Sequence, residues 1–270
     1  MLKAITRDVS RNITRCELTF RQRERINYQR AIRQHASYCD LLRRHGAQVI
    51  TLEARNDSPD CCFVADTAIV LAEVAVIAHM GAPSRRGEVS AVEEILTADR
   101  EVVRIAPPAT LDGGDAVVLG KQIFVGRSSR TNSAGIESLA RITGRFGYHV
   151  VPVSVTGSLH LTTACSALDE ETLLLNPRWI SAEPFARYWV LAVSEDEPWA
   201  ASTVRIGETV CIEAGSPRTL DLVSRHCANV EVLDISEFRK AEGSLPCLSI
   251  LFQDAITKHS NQSKGAMYAK

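Results

Sequence analysis

The sequence predicts an α/β fold, specifically a five-bladed α/β propeller of repeated ββαβ-type units with pseudo-fivefold symmetry. Three observations predict it: one order of elements recurs along the chain, the last unit needs both termini to complete it, and reactive residues recur where units start. Units that close into a ring leave no open sheet edge, and their loops converge on a central axis where a ligand can lie. The repeat alone leaves an open doubly wound sheet as the alternative.

The first two complete units show the repeat most clearly. Each reads as a strand, a short turn, a second strand, a loop, a helix and a third strand. The first consists of CCFVADTAIVL, AVIAH, GAPSRRG, EVSAVEEIL and EVVRI, and the second of GGDAVVLG, KQIFVG, RSSRTN, GIESLARITGRF and YHVVPV. The two segments are therefore predicted to form the same supersecondary unit.

The remaining units extend the pattern and close the ring. The third consists of LHLTTACSAL, TLLLN, PRWISAEPFA and YWVLAV, and the fourth of AASTVRI, ETVCIEA, GSPRT, LDLVSRHC and VEVLDI. In the fifth, SLPCLSILF near the C-terminus supplies one strand, and the N-terminal segment supplies another strand, a long helix and the strand ITLEA. We therefore expect residues 1–252 to form one catalytic domain, and the polar, aperiodic segment 253–270 to form a disordered tail.

Two helices are predicted from apolar spacing and from the glycines that follow them. In the N-terminal helix the apolar face comprises Ile32, Ala36, Cys39 and Leu42, with Gly46 at the C′ position. In the second unit the corresponding residues are Ile136, Leu139, Ala140 and Ile142, followed by Gly147. Both patterns predict helices that pack one face against a sheet.

Composition favours a small-molecule partner. The chain has 31 basic and 32 acidic residues without a long basic run, which excludes an electrostatic footprint for nucleic acid or a membrane. The N-terminal segment is too polar for a signal peptide, so we expect a cytoplasmic location. The eight cysteines form no Cys-x-x-Cys pair, which argues against a zinc site, and we expect no metal, no cofactor and no disulfide framework.

Four residues at or near unit starts are candidates for chemistry. Asp60, Asp112, His160 and Cys247 are separated by 52, 48 and 87 residues, the last interval being close to two units. Equivalent positions in a pseudo-symmetric ring face one central cavity, so these residues are expected to meet. Each alone has a structural reading: Cys247 as a buried core thiol, His160 as a satisfied core histidine and Asp112 as a turn residue.

The combination is more informative than its members. A cysteine, a histidine and an orienting carboxylate are the groups that nucleophilic catalysis by a thiolate requires. A papain-like peptidase uses the same residue types, but its cysteine precedes its histidine, the reverse of the order here. We therefore predict Cys247 as nucleophile and His160 as its acid/base partner, with a carboxylate that orients the histidine.

Several segments, taken in order, resemble the dimethylarginine dimethylaminohydrolases of the guanidino-group-modifying superfamily, which has the pentein fold. They are CELT at 16–19, SPDCCFVAD at 58–66, GAPSRRGE at 81–88, TLDGGD at 110–115, SRTN at 129–132, LHL at 159–161 and AEGSLPCLSILF at 241–252. The resemblance spans nearly the whole chain, and the fold it implies is the five-bladed ring that the repeat predicts independently.

The resemblance implies roles for individual residues. It implies that Cys247 is the nucleophile, His160 the general acid/base and Asp112 the carboxylate that orients His160. The implied substrate contacts are Asp60 and Asp66 for the guanidinium, Arg85 and Arg130 for the α-carboxylate, and the carbonyls of Leu18 and Ala241 for the α-ammonium. Carboxylates suit a planar guanidinium, and the arginine fork suits a carboxylate.

The implied reaction is hydrolysis of the guanidino C–N bond of an Nω-methylated arginine through a covalent cysteine thiouronium, which yields citrulline and dimethylamine from dimethylarginine. One alternative is a hydrolase or deiminase that acts on another arginine-like guanidine. Another is a non-catalytic five-bladed binding protein, which would have no need of a nucleophile and a base together. A homodimer is left open.

Four positions depart from the family pattern. Ala65 stands where the family usually has glutamate, so a carboxylate beside the guanidinium site is missing and the substrate range is open. Thr162 stands where lysine is common, Ser202 where asparagine is common, and Pro246 where serine or threonine is usual. Pro246 is tolerable at the first residue of a strand, where its missing N–H needs no partner.

Overall fold

In the computed structural model, which describes residues 1–255, the strands form five separate three-stranded sheets. In chain order the strands are β1 Leu2–Arg7, β2 Gln48–Leu52, β3 Ala68–Val70, β4 Val74–Ile77, β5 Glu101–Arg104, β6 Ala116–Leu119, β7 Gln122–Arg127, β8 His149–Ser154, β9 Cys165–Ala167, β10 Thr172–Leu175, β11 Trp189–Ala192, β12 Val204–Ile206, β13 Thr209–Glu213, β14 Asn229–Leu233 and β15 Ile250–Gln253. The α-helices are α1 Tyr28–Arg44, α2 Ser90–Thr97, α3 Ser133–Gly144, α4 Leu161–Ala164, α5 Pro217–His226 and α6 Ser236–Arg239.

All five sheets share one topology. Their strand orders are β3-β4-β5, β6-β7-β8, β9-β10-β11, β12-β13-β14 and β15-β1-β2. In each, the middle strand pairs antiparallel with the first of the three and parallel with the last. In four sheets the antiparallel pair is consecutive in the chain and the parallel pair is joined by a crossover, whereas in the closing sheet the antiparallel pair joins the two ends of the chain. The predicted ββαβ repeat and five-bladed propeller are confirmed, and the open doubly wound sheet is wrong because the sheets are not joined.

The two ends of the chain meet in one sheet. Strand β1 pairs with β15, with Ile5 opposite Ile250 and Leu2 opposite Gln253, and the Met1 ammonium lies 3.3 Å from a carboxylate oxygen of Asp254. The sheet therefore extends to Gln253, one residue beyond the expected boundary at 252. The remainder of the expected tail, from residue 256 onward, lies outside the described residues.

Helix α1 is the long N-terminal helix that the sequence predicts, but its buried face differs. The side chain of Asn27 caps it by accepting from the N–H of Arg30 at 3.0 Å, and Gly46 follows with φ +81°. The buried residues are Ala31, Gln34, His35, Tyr38, Cys39, Leu41 and Leu42. The prediction of a face through Ile32 and Ala36 is wrong, since both are exposed. The buried face of α1 is rotated from the predicted one because Tyr38 faces the closing sheet. Its hydroxyl lies 2.7 Å from Ser249 Oγ.

The crossovers vary in helical content. In α3, Ile136 and Leu139 are buried and Ala140 and Ile142 are partly buried, as predicted. The third unit keeps its strands, but a single 3-10 turn at Glu183–Phe185 replaces the helix. None of the helices in residues 1–255 is long and apolar enough to cross a bilayer.

Hydrophobic residues pack between neighbouring sheets. Phe124 of the second unit and Phe185 of the third stack with ring centroids 4.5 Å apart. Ile5 and Ile250 of the closing sheet pack in one cluster with Ala75 and Ile77 of the first. Each blade thus buries its faces against its neighbours, which leaves the ends of the strands free to carry function.

Short helical turns precede the first strand of four units. The turns are Val64–Thr67, Gly113–Asp115, Leu161–Ala164 and Leu245–Leu248. The expected first strand of unit one therefore begins later, at Ala68. The expectation that Pro246 begins a strand is also wrong, because it lies in the first turn of the 3-10 segment, where its missing N–H is tolerated.

Candidate active site

Cys247 lies in the 3-10 turn before β15, and its side chain is buried. The sulfur is 3.1 Å from the hydroxyl oxygen of Ser244. Burial raises the pKa of the Cys247 thiol to about 11, with a further increase from the Asp66 carboxylate, while Ser244 opposes the shift. The thiol is therefore protonated at neutral pH, and a positive charge placed beside it would favour the thiolate.

His160 is held between two carboxylates at the start of α4. Its Nε2 lies 3.0 Å from Oδ2 of Asp112, and its Nδ1 lies 3.5 Å from Oδ1 of Asp66. Burial alone would lower the pKa of His160, but Asp66, Asp112 and Asp115 outweigh it and raise the pKa to about 9. The histidine is therefore a charged imidazolium at neutral pH and can act as a proton donor.

Asp112 is fixed by backbone contacts on both sides. Its Oδ1 accepts from the N–H of Gly81 at 2.8 Å, and its own N–H donates to Thr131 Oγ1 at 3.1 Å. A Cβ on Gly81 would lie 2.3 Å from the carbonyl oxygen of Arg130, so only glycine allows this approach. Asp112 therefore has one oxygen left to orient His160, as the sequence predicts for it.

Asp115 is a site residue that the sequence analysis missed, although it ends the TLDGGD segment. It is buried, its Oδ1 accepts from the N–H of Leu161 at 3.0 Å, and its Oδ2 accepts from the Ser128 hydroxyl at 2.6 Å. Burial raises the pKa of Asp115 to about 6. Asp115 positions the residue next to His160 and adds negative charge that keeps the imidazole protonated.

Asp66 and Arg85 form the centre of a buried ion-pair network. Arg85 Nη1 donates to Asp66 Oδ2 at 2.6 Å, and Arg85 Nη2 donates to Glu88 Oε2 at 2.8 Å and to the carbonyl of Phe63 at 3.0 Å. Burial alone would raise the pKa of Asp66, but His160 and Arg85 outweigh it and lower the pKa. Asp66 Oδ1 accepts no hydrogen bond from residues 1–255, and it faces Nδ1 of His160 at 3.5 Å.

Within this network Arg85 is a buried cation whose charge is neutralised by protein carboxylates. Its side chain is buried, and Glu88, which the sequence analysis did not single out, neutralises it together with Asp66. Four of its five N–H groups could be used by these carboxylates and by main-chain carbonyls. In this arrangement the main role of Arg85 is to orient Asp66. A contact between Arg85 and a substrate would use the one N–H group that has no protein partner within residues 1–255.

Asp60 lies beside the segment that carries Leu18. Its Oδ2 accepts from the backbone N–H of Glu17 at 3.1 Å, and burial raises the pKa of Asp60 to about 6. Leu18 is partly buried and Ala241 is buried. The chain therefore places Asp60 and the Leu18 main chain next to each other, as the implied substrate site requires.

Glu242 joins the two segments that carry Leu18 and Ala241. Its Oε1 accepts from the backbone N–H groups of Thr19, Phe20 and Arg21 at 2.9, 2.6 and 2.6 Å. Glu242 has φ +58°, the left-handed region that few residues other than glycine adopt. This carboxylate holds residues 19–21 against the turn that contains Ala241. The two segments are more than two hundred residues apart in the sequence.

Arg130 lies near the same centre. It is buried, its Nη2 donates to Glu17 Oε2 at 2.8 Å, and its charge acts on Asp66. Its Nη1 has no hydrogen-bond partner within residues 1–255. The guanidinium therefore retains donors for an anion.

Asp66, Asp112 and His160 are also the described residues whose ligand atoms come within 4.8 Å of one another and could share a metal ion. Both nitrogens of His160 face carboxylates, and its raised pKa keeps them protonated. A metal would require an unprotonated nitrogen. The arrangement fits an acid/base site better than a metal site.

Three of the departures from the family pattern converge on one cavity. Ala65, Thr162 and Pro246 line a cavity of about 170 Å³ that Gly113 and Gly114 also line. Gly114 also lies against the candidate catalytic residues, because a Cβ there would lie 2.3 Å from Asp66 Oδ1 and 2.9 Å from His160 Nδ1. Two of the positions that depart from the resemblance, 65 and 162, therefore belong to one place in the fold.

Comparisons with known proteins identify the family of this chain. A family model for eukaryotic N,N dimethylarginine dimethylhydrolase matches residues 6–188. The N(G),N(G)-dimethylarginine dimethylaminohydrolase of Streptomyces coelicolor is 34% identical over 254 residues, which cover 93% of this chain and 97% of that protein.

Solved structures show the same fold. A cysteine-to-serine mutant of the Pseudomonas aeruginosa dimethylarginine dimethylaminohydrolase, complexed with citrulline, matches with a TM-score of 0.89 at 30% identity, over 93% of this chain and 100% of that one. The N-terminal domain of a cyanobacterial arginine dihydrolase matches with a TM-score of 0.84 at 17% identity, over 94% of this chain and 99% of that one, and supports the fold alone. The chain therefore belongs to the dimethylarginine dimethylaminohydrolase family, and it is a hydrolase of guanidino C–N bonds.

Proposed function

We propose that the protein hydrolyses the guanidino C–N bond of Nω-methylated arginine and converts dimethylarginine into citrulline and dimethylamine. One observation carries the proposal: a buried thiol and a buried imidazolium both lie in the field of Asp66, whose Oδ1 accepts no hydrogen bond within residues 1–255. A guanidinium placed there would be paired with a carboxylate and would stand beside the nucleophile. The citrulline complex of the Pseudomonas aeruginosa relative supports this choice of product.

The substrate guanidinium would bind between Asp66 and Asp60. Both carboxyl groups are buried, and the raised pKa of Asp60, about 6, still leaves it ionised at neutral pH. The same positive charge would lower the pKa of Cys247 from its raised value, because it stabilises the thiolate. Binding of substrate thus helps to generate the nucleophile.

The amino-acid end of the substrate would bind at the other side of the site. Arg130, with an unpartnered Nη1 among the described residues, would hold the α-carboxylate, and the remaining donor of Arg85 would assist. The carbonyls of Leu18 and Ala241 would accept from the α-ammonium. Glu242 brings these two segments together through its contacts with residues 19–21.

The reaction then proceeds in two halves. The Cys247 thiolate adds to the guanidino carbon, and the proton on His160 moves to the leaving nitrogen as the C–N bond breaks, which leaves a covalent thiouronium and free dimethylamine. Neutral His160 next takes a proton from water as the hydroxide adds to the same carbon. The C–S bond breaks, the thiolate is regenerated, the proton of the added hydroxyl passes to solvent, and the neutral ureido product leaves.

The test is citrulline release from dimethylarginine by the purified protein. We expect turnover that is lost in Cys247→Ser and in His160→Ala, and retained in the matched control Cys165→Ser, which removes a buried thiol from strand β9. Citrulline formation at the parental rate in either site variant would contradict the assignment.

A second candidate within the same chemistry is a different arginine-like guanidine, such as arginine itself. The observation that favours it is the uncharged cavity wall of Ala65, Thr162 and Pro246 next to the catalytic residues. A panel of arginine and its methylated forms, assayed for ureido product, separates the two candidates. Higher kcat/KM for arginine than for any methylated form would favour the second.

A further inference from the structure

Glu17 contacts both ends of the proposed substrate site. Its carboxylate accepts from Arg130 Nη2 at 2.8 Å and from the Ser84 hydroxyl, while its backbone N–H donates to Asp60 Oδ2 at 3.1 Å. Asp60 is a proposed acceptor for the guanidinium, and Arg130 is the proposed clamp for the α-carboxylate. Glu17 therefore contacts both Asp60 and Arg130, the residues proposed to bind the two ends of the substrate.

The position of Glu17 is set by the segment that carries it. Glu242 Oε1 accepts from three consecutive N–H groups, those of residues 19–21, and the guanidinium of Arg21 lies 5.2 Å from the ring centroid of Trp199. These contacts hold the chain immediately after Glu17. The carboxylate of Glu17 is thus directed at Arg130 by the fold.

The contact with Arg130 uses donors that a substrate would need. An arginine binds a carboxylate best through two parallel N–H···O bonds. Glu17 occupies Nη2, which leaves Nη1 as the terminal nitrogen without a partner in residues 1–255. A second carboxylate cannot form the two-bond contact through Nη1 and Nη2 while Glu17 stays in place, and the two anions would repel each other.

Glu17 can leave at modest cost. Its side chain is 41% exposed, whereas that of Arg130 is 9% exposed. On displacement the Glu17 carboxylate would be solvated by water, while the buried guanidinium would exchange one carboxylate for another. The exchange is therefore a competition between two anions for one cation.

We infer that Glu17 is a specificity-determining residue, which competes with the α-carboxylate of the substrate for Arg130. This inference rests on the proposed function, because it takes the substrate to be a guanidino α-amino acid. Glu17 lowers the preference for carboxylate-bearing guanidines over those that lack a carboxylate. The latter can occupy the guanidinium end while the Glu17–Arg130 pair stays intact.

The test compares two substrates in matched variants. One substrate is asymmetric dimethylarginine, and the other is its decarboxylated analogue, which has the same guanidine but no α-carboxylate. The readout is the ratio of their kcat/KM values. We expect Glu17→Gln to raise this ratio about fivefold, through a lower KM for dimethylarginine, because the neutral amide no longer competes for the guanidinium.

Two further variants distinguish the loss of the Glu17–Arg130 ion pair from the loss of a negative charge elsewhere in the segment. Glu17→Asp keeps the charge but shortens the side chain, so it should also raise the ratio if direct contact with Arg130 is the cause. Glu24→Gln removes a charge from the same segment, where Glu24 is exposed and pairs with Arg21, and should leave the ratio at the parental value. Thermal melting of each variant confirms that it is folded.

The outcomes are distinct. A ratio in Glu17→Gln that is unchanged or lower than the parental ratio would overturn the role of Glu17 and leave the hydrolase intact. A parental ratio in Glu17→Asp would likewise show that contact with Arg130 is not the cause. Absence of turnover by the parent on every guanidine would overturn the proposed function and this inference with it.

Discussion

The imidazole of His160 and the carboxylate of Asp112 are both buried, and Nε2 of the histidine lies 3.0 Å from Oδ2 of the aspartate. They are 48 residues apart and come from equivalent positions in neighbouring units. Because the other oxygen of Asp112 accepts from the N–H of Gly81, the carboxylate cannot rotate freely. The pair is therefore a fixed orienting contact, and its removal should have a measurable chemical effect.

Asp112→Asn is expected to lower kcat about 100-fold, because general acid/base catalysis by a positioned histidine contributes on that scale. KM should change much less, since Asp112 does not contact the proposed substrate. Steady-state citrulline release checks the prediction. Asp57→Asn, at an exposed carboxylate paired with Arg55, is the matched control. A loss smaller than about threefold in Asp112→Asn would contradict the orienting role.

The raised pKa of His160 predicts how stability depends on pH. Below the ordinary histidine pKa, 6.5, the imidazole is charged in both folded and unfolded chains, so the stabilisation from Asp66 and Asp112 is fully present. Between 6.5 and about 9 the unfolded chain loses the proton first, so this stabilisation declines as pH rises and is lost above about 9. We expect the melting temperature of the parent to exceed that of His160→Gln most at pH 6, with the difference shrinking toward pH 10. A difference in melting temperature that stays constant from pH 6 to pH 10 would contradict the prediction.

Ser244→Ala is expected to make Cys247 less reactive. The Ser244 hydroxyl, 3.1 Å from the sulfur, stabilises the thiolate and opposes the burial that raises the pKa of Cys247. A hydrogen bond to a charged group is worth about 1.5 kcal/mol or more, so labelling by a haloacetamidine at pH 8 should slow roughly tenfold. Ser244→Thr should retain most of the rate. Equal labelling rates in the parent and Ser244→Ala would show that the hydroxyl does not serve the thiolate.

The effects of Ala65→Glu and Thr162→Lys on the free energy of unfolding are expected not to be additive. Ala65 and Thr162 both line the cavity of about 170 Å³, so Ala65→Glu alone would put a partly buried carboxylate without a partner there and cost about 2 kcal/mol of unfolding free energy. Thr162→Lys in the same chain would supply the opposite charge, so the double variant should recover at least half of the loss. Denaturant unfolding of the parent, both single variants and the double variant measures the coupling. Strictly additive effects would mean that the two side chains do not meet.

The fold was largely predictable because its information is local and repeated. Alternation and apolar runs identify strands, and a unit repeated along the chain indicates a ring. The buried face of α1 was predicted wrongly because helical periodicity permits more than one apolar stripe. The contact of Tyr38 with Ser249 selects a face to which Ile32 does not belong. The late start of β3 was missed because residues 61–67 are apolar enough to read as a strand but form turns around Asp66.

The candidate site was predictable only in part. Cys247 and His160 were predicted from residue type and spacing and Asp112 from the family resemblance, and the structure places His160 against Asp112. Asp115 was missed because an aspartate after two glycines reads as a turn residue. Glu88 was missed because nothing in its local sequence shows that it pairs with Arg85.

The sequence by itself determined the five-unit ring and its closure through both termini, because periodicity is a property of the chain, and its resemblance to the family predicted the nucleophile, the acid/base residue and the orienting carboxylate. Only the tertiary structure decided which charges are paired. The contacts of Glu17 with Arg130 and of Glu242 with Arg21 span 113 and 221 residues, and no local pattern encodes them. They form because ring closure brings loops from different blades to one axis, where buried charges must find partners.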